Sequence, residues 1–389
     1  MAGSIAIPRS GAPATTAAPR IDANPDLVPF LKWPGGKSLE LDSIAAAAPP
    51  LTGRYIDPFV GGGSVLLAVP AAVPALANDA CRDLVELYTS AAAGDPEFHG
   101  AIDGLAGAWD DLAGVDTLYA DLALAERTPN DDGSEALAGH RPDLERVLSQ
   151  AGPGLRAAFD DRIARELRAK LTRVRRLEAR HGSLSATDLL ANVEGAVRAS
   201  VYTAVRARYN AARLADRWDA IRAADFLFLR EYAYAAMFRF NRHDAFNVPY
   251  GGISYNRKSL GDKSRLLFGR PTLERLAATT FRSQDFEPFL EACAPTGDDF
   301  VFVDPPYDSD FSAYDNRPFD AADQVRLEAV LAALAARVMV VIKDAPAIRA
   351  LYAADRWQVV EAAKTYMWTI KSRNDRRATH LTITNYQPG

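Results

Sequence analysis

Asp304, Pro305, Pro306 and Tyr307 follow four apolar residues, Phe300 to Val303, and form the stretch of the chain best suited to chemistry. A short Val- and Phe-rich run ended by proline reads as a buried strand of a parallel sheet, and ligands of open α/β sheets gather beyond such carboxyl ends. The acid then stands at a cleft. Two consecutive prolines remove two N–H donors and bias the residues before them to extended backbone, so nearby carbonyls can accept from a substrate amine. The ring of Tyr307 offers a flat face to a planar group. One carboxylate, carbonyl acceptors and one ring suit an exocyclic amine on a heteroaromatic base. A strand running into a Pro-rich turn is the plain structural alternative.

Three further stretches could position a ligand beside this acid. Lys32-Trp33-Pro34-Gly35-Gly36-Lys37-Ser38 brings an aromatic face and a cation to a glycine turn, followed by a helix over 38–48. It is not a phosphate-binding loop, which needs glycine where Leu31 stands. Asp57-Pro58-Phe59-Val60-Gly61-Gly62-Gly63-Ser64 reads as a strand entering a glycine turn and a short apolar helix over 65–69. Leu66 occupies the third position of a dinucleotide fingerprint counted from Gly61, so a pyrophosphate is not expected. Asp79 follows a second strand over 75–77, where an α/β nucleotide site holds ribose hydroxyls. Asp285 and Phe286, after a strand beginning at Thr279, suit an amino group and the face of an adenine ring.

The elements that must carry these residues read as an α/β sheet interrupted by helices. Beyond the Asp304 block come a helix over 321–336 and strands over 338–342, 357–362 and 380–384, with the basic 371–377 as a loop. Between Tyr88 and Phe226 the apolar spacing is helical, as in Ile163, Leu167, Leu171 and Val174. From Tyr232 to Gly252 six aromatics interleave with Arg239, Asn241, Arg242 and Asn247, which suits a hairpin contacting base edges.

At 389 residues, 48% hydrophobic and 24% charged, the chain has the size and composition of a globular protein of two domains or one domain with a large insertion. Its formal net charge of −5 is unevenly spread. Acids dominate 95–135, whereas 162–180 holds eight basic residues against two acids. Local field matters more to phosphate binding than the total, although such a run also suits a solvated helix face. Cys81 and Cys293 make no CxxC pair, which argues against a structural zinc site and fits a reducing, cytoplasmic compartment. No metal and no membrane are expected. Residues 1–26, rich in Ala, Pro and Thr, read as a disordered arm.

Four ordered blocks, Lys32 to Lys37, Asp57 to Ser64, Phe238 to Gly251 and Asp304 to Tyr307, resemble the Dam-like (D12 class) DNA adenine-N6 methyltransferase family. The resemblance implies a Rossmann-like α/β methyltransferase that uses S-adenosylmethionine, with a mainly helical DNA-recognition domain inserted. It places the catalytic domain at 27–88 and 276–389, the insertion at 89–275 and a DNA-contact hairpin near 232–252. By position, Trp33, Lys37, Asp57, Phe59, Gly61, Gly63, Asp79, Asp285 and Phe286 match the cofactor site, and Asp304, Pro305, Pro306 and Tyr307 the catalytic block. Tyr234, Arg239, Asn241, Arg242 and Asn247 match the DNA-binding region. Two positions depart from the family: Cys81 stands where Asn is common, and Ala235 stands where GATC-reading members carry an Asn.

The resemblance further implies double-stranded DNA as substrate, with an adenine flipped out of the stack because its N6 is inaccessible while paired. A cognate restriction enzyme is a possible partner. An N4-cytosine methyltransferase presents the same amine chemistry, and a catalytically silent DNA-binding homologue is the alternative from another class. The lack of paired cysteines excludes a zinc nucleobase deaminase.

Overall fold

A computed structural model describes residues 18–22, 27–128, 131, 133–306, 319–365 and 377–388. Among these, seven strands form one sheet: β1 Tyr55–Asp57, β2 Ala75–Asn78, β3 Thr279–Arg282, β4 Phe300–Val303, β5 Arg337–Lys343, β6 Gln358–Thr365 and β7 Arg377–Thr384. Their order is β3-β2-β1-β4-β5-β7-β6. The first five run parallel, and β7 runs antiparallel between β5 and β6. The chain order reverses between β1 and β4, so their carboxyl ends diverge into a crevice.

Alternation along the strands divides the core into two layers. Tyr55, Phe300, Phe302, Met339 and Val341 face the larger one. Ile56, Val301, Val303, Val338, Val340 and Ile342 face the other. All four residues of β4 are buried, as expected of a central parallel strand covered on both sides.

Fourteen α-helices are described. α1 (Leu41–Ala47) precedes β1, and ten lie between β2 and β3: α2 (Arg82–Ala92), α3 (Pro96–Asp111), α4 (Asp116–Arg127), α5 (Ser134–Gly139), α6 (Arg141–Ser149), α7 (Leu155–His181), α8 (Ala186–Leu214), α9 (Ala220–Tyr232), α10 (Leu260–Leu267) and α11 (Arg270–Ala277). α12 (Phe286–Cys293), α13 (Ala321–Ala333) and α14 (Pro346–Leu351) accompany the remaining strands. α9 is buried along nearly its whole length. Its polar residues are therefore paired: Asp225 with Arg208 at 2.6 Å and Arg222 with Asp83 at 2.8 Å.

Several local expectations are corrected. The stretch 65–69 is a single 3₁₀ turn, Leu66–Ala68, because Pro70 cannot continue a helix. The helix after Lys37 begins at Leu41, since Lys37 to Glu40 form a turn closed by Glu40 N–H donating to the Lys37 carbonyl at 2.9 Å. α13 stops at Ala333, where Leu334 turns extended. β6 and β7 are longer than read because they pair with each other, and Arg377 opens β7 instead of closing a loop. Residues 18–22 are docked: Arg20 donates to the Ala48 carbonyl, Asp22 N–H to that of Ala68, and Ile21 is buried. The rest of the expected arm lies outside the described residues, as does the loop 366–376.

Candidate active site

The crevice at the ends of β1, β2 and β4 is a cavity of about 500 Å³. Trp33, Lys37, Asp57, Phe59, Gly61, Gly63, Asp79, Asp285, Phe286, Asp304, Pro305 and Pro306 all line it, although the chain separates the first and last by most of its length. Tyr307 lies outside the described residues.

Asp304 follows the last residue of β4, and the Lys37 ammonium sits 2.5 Å from its Oδ1. Lys37 is only 2% exposed and also donates to the Gly35 carbonyl at 2.9 Å, while Asp304 keeps 20% of its side chain in contact with solvent. Lys37, expected at the cofactor site, thus also meets Asp304, because the turn at Gly35 folds its ammonium back onto the acid. The carbonyls after Asp304 are not all without partners either. Gln324, on α13, donates from Nε2 to the Pro306 carbonyl at 3.2 Å.

Asp57 ends β1 at the cavity floor. Its carboxylate accepts from Tyr55 Oη at 2.9 Å and from Phe59 N–H at 3.1 Å. Burial pushes its pKa up to about 7 against those hydrogen bonds. Asp79 accepts from Gly61 N–H at 3.0 Å and Cys81 N–H at 2.9 Å, and burial raises it to about 6. Asp79 thus fastens the glycine loop as well as facing the cavity. Gly61 and Gly63 have φ of +47° and +71°, and a Cβ at either would lie 2.9 Å from Trp33 or 2.8 Å from the Tyr88 hydroxyl. Glycine is required there by backbone conformation and by space.

At the opposite end, Asp285 caps α12 through Glu287 N–H at 3.0 Å. Arg326 of α13 grips it with two nitrogens, at 2.7 and 2.9 Å, and also reaches Glu287 and Asp323. The same guanidinium lies 4.2 Å over the Phe286 ring, and Phe59 and Phe319 complete an aromatic wall with Phe286. Five carboxylates and two cations line the cavity among the described residues, so its field favours a cationic ligand.

The expected DNA-contact hairpin is a loop with two antiparallel bridges, Ala233 to Tyr250 and Phe240 to Phe246, without regular strands. Of its six aromatics only Tyr234 is exposed, at 54%. Tyr232 and Phe246 are buried, and Phe238 packs on Trp33, Phe226, Phe240 and Phe246. Most of these rings therefore form a core beneath the loop instead of a stacking surface. Arg239 and Arg242 are exposed, and Asn247 is half-buried beside Arg239. The Asn241 side-chain carbonyl accepts from His243 and Ala245 N–H at 2.8 and 3.2 Å, so it closes a turn. α8 grips this loop through Tyr202 and Arg206 to the Val248 carbonyl, and through Asn210 to Phe246.

The family model described as D12 class N6 adenine-specific DNA methyltransferase matches residues 33–112 and 185–366. The chain belongs to this family. It is similar to the Retron Ec67 DNA adenine methylase of Escherichia coli, 34% identical over 34% of this chain and 45% of that protein. It is 30% identical to the type II methyltransferase M.CviBI of Paramecium bursaria Chlorella virus NC1A, over 42% of this chain and 61% of the relative. The type II methyltransferase M.MjaIII of Methanocaldococcus jannaschii is 24% identical over 78% of both chains. The first two matches thus span roughly half of those relatives. In this chain the unmatched residues 113–184 hold α4 to α7.

Sequence reasoning missed Arg326, Phe319, Asp323 and Asn78. Asn78, directly before Asp79, links the Pro58 and Gln284 carbonyls, at 3.1 and 3.0 Å, and so ties three strand ends together. Its position at a strand end beside a predicted ribose acid was the available signal. Nothing in the local pattern around Arg326 distinguishes it from a solvent-facing helix arginine.

Proposed function

We propose that this protein transfers a methyl group from S-adenosylmethionine to N6 of an adenine flipped out of double-stranded DNA, on a Rossmann-like catalytic sheet with an inserted recognition region. The observation that carries this reading is the convergence of Asp304, Lys37, the glycine loop and the Asp285–Phe286 end on one acidic cavity at the sheet's switch point. A cavity of that volume accommodates a nucleoside-sized ligand. The excess of carboxylates suits a net cationic sulfonium donor and disfavours a phosphorylated cofactor. The positive-φ glycines leave the backbone open for close approach, as a cofactor cradle requires.

In this reading, Phe286, Phe59 and Asp285 bound the adenine of the cofactor, Asp79 its ribose, and Trp33, Asp57 and the glycine loop its methionine part. Bound there, the cofactor supplies an electrophilic methyl group. Asp304 and the Pro305 carbonyl accept the two N6–H bonds of the target base, concentrating lone-pair density on nitrogen and aiming it toward the donor. The proton that N6 loses on methylation leaves through the Asp304 carboxylate to water. Lys37 fixes one carboxylate oxygen, leaving the other to face the target base. Tyr307 supplies the stacking face by family resemblance. Positioning and electrostatics suffice for such a transfer. The type II names of two relatives make a cognate restriction enzyme a partner to look for.

The test is Asp304→Ala assayed with labelled methyl donor and plasmid DNA, with nucleoside analysis of the native product. Native protein should yield N6-methyladenine, and the variant should incorporate no methyl group while still binding S-adenosylhomocysteine. Retained methylation by the variant, or N4-methylcytosine from the native protein, would overturn the reading.

A further inference from the structure

Residues 113–184 lie outside the family match, yet they contain α7, one of the two longest helices described. The stretch before it, 113–154, holds eight Asp and Glu against three Lys and Arg. α7 reverses the balance, with nine Lys and Arg against four Asp and Glu. The sign change is also ordered in space. Phe159, Ile163, Leu167, Leu171 and Val174 are buried at helical spacing, and α7 packs along α8. Arg165, Arg173, Arg176 and Arg180 are exposed. At 3.6 residues per turn these four occupy an arc of roughly 80° opposite the apolar stripe and run over about 22 Å. Glu166 and Glu178 fall off that arc. Arg175, which also falls off it, is used inside the bundle, donating to the carbonyls of Ala125, Glu126 and Asp131.

A solvated helix face ordinarily mixes charges of both signs, which relieves repulsion between neighbours. Four guanidiniums on one arc repel each other, and a polyanion relieves that repulsion. We infer that the outer face of α7 is a sequence-independent contact for the phosphate backbone of duplex DNA flanking the methylated site. This rests on the proposed function and extends it. Two observations favour DNA over an acidic protein. α8, against which α7 packs, holds the loop carrying Tyr234 and Arg239, so the arginine stripe is rigidly joined to the reading element. The chain as a whole carries −5, so a local basic face is needed to offset repulsion of a duplex extending beyond the site. A length of about 22 Å covers roughly two thirds of a duplex turn.

The test is a variant with Arg165, Arg173, Arg176 and Arg180 all changed to Gln, compared with native protein on duplexes of about 12 and about 40 base pairs sharing one methylated core. Binding is measured by anisotropy over a salt titration. All four side chains are exposed, and an unchanged unfolding temperature and affinity for S-adenosylhomocysteine establish that the variant is folded. Affinity for the long duplex should fall about 10- to 100-fold, and the slope of log K against log salt should shrink by about 0.9 for each phosphate that the variant no longer neutralises. Affinity for the short duplex should fall less than that for the long one, because it offers fewer flanking phosphates. A variant that matches native protein on the long duplex in both affinity and slope overturns the inference while leaving methylation intact. Native protein that methylates no DNA instead overturns the proposed function on which the inference rests.

Discussion

Lys37→Met separates the two roles open to this lysine. The ammonium is 2% exposed and lies 2.5 Å from Asp304 Oδ1, so the substitution leaves a carboxylate at the cavity without its counter-charge. Breaking a fully buried pair by removing one partner costs about 3–5 kcal/mol. Asp304 retains 20% exposure, so water recovers part of that loss. About 2–3 kcal/mol then falls on the transition state, or roughly 30- to 150-fold in kcat. Methionine approximates the volume of the lysine stem, which limits collapse of the site. Single-turnover methyl transfer to DNA reads the chemical step, and calorimetry with S-adenosylhomocysteine reads the cofactor site. The expected result is a large loss in the first with less than a threefold change in the second. Methyl transfer at the native rate with cofactor affinity lost more than tenfold would refute the pairing argument and return Lys37 to the cofactor alone.

Three further outcomes are expected. Burial raises Asp57 to about 7 and Asp79 to about 6, so both carboxyls bind protons more tightly folded than unfolded. Their contribution to stability is therefore full at acid pH and is lost as pH rises to about 7, whereas binding of a cationic donor favours the ionised forms. Donor affinity should tighten between about pH 5 and pH 8 with proton release, and Asp57→Asn should flatten the profile; calorimetry in buffers of different ionisation enthalpy would detect the opposite trend. Arg326→Gln should weaken S-adenosylhomocysteine binding about tenfold and reduce discrimination against its inosine analogue, since the Asp285 carboxylate loses its bidentate clamp. Undiminished discrimination would assign Arg326 to stability alone. Gly63→Ala, with φ at +71° and the Tyr88 hydroxyl 2.8 Å from the added Cβ, should cost about 1–3 kcal/mol and lower the unfolding temperature by a few degrees. An unchanged melting curve would show that the loop relaxes freely.

Within the sequence, the strands ending in Asp57, Asn78 and Val303 could be read from short apolar runs and the turn residues behind them. Family membership was legible because four motif blocks keep their order around a long helical stretch. Those features are local in the chain, and backbone stereochemistry acts locally: glycine permits positive φ at 61 and 63 whatever surrounds it. Pairings across long separations were not legible. Lys37 meets Asp304 and Asp285 meets Arg326 only because parallel strands bring distant loops to one edge of the sheet. The insertion of β7 between β5 and β6 likewise rests on strand pairing, which two isolated apolar runs do not specify. The aromatic loop shows the same division from the other side. Its composition suits stacking on bases, but burial depends on what lies beneath, and α8 and Trp33 turn most of those rings into core. Residue types and spacing were enough to place the chain in its family; which groups face one another across the cavity, and with what charge, was decided by packing that brings together segments remote in sequence.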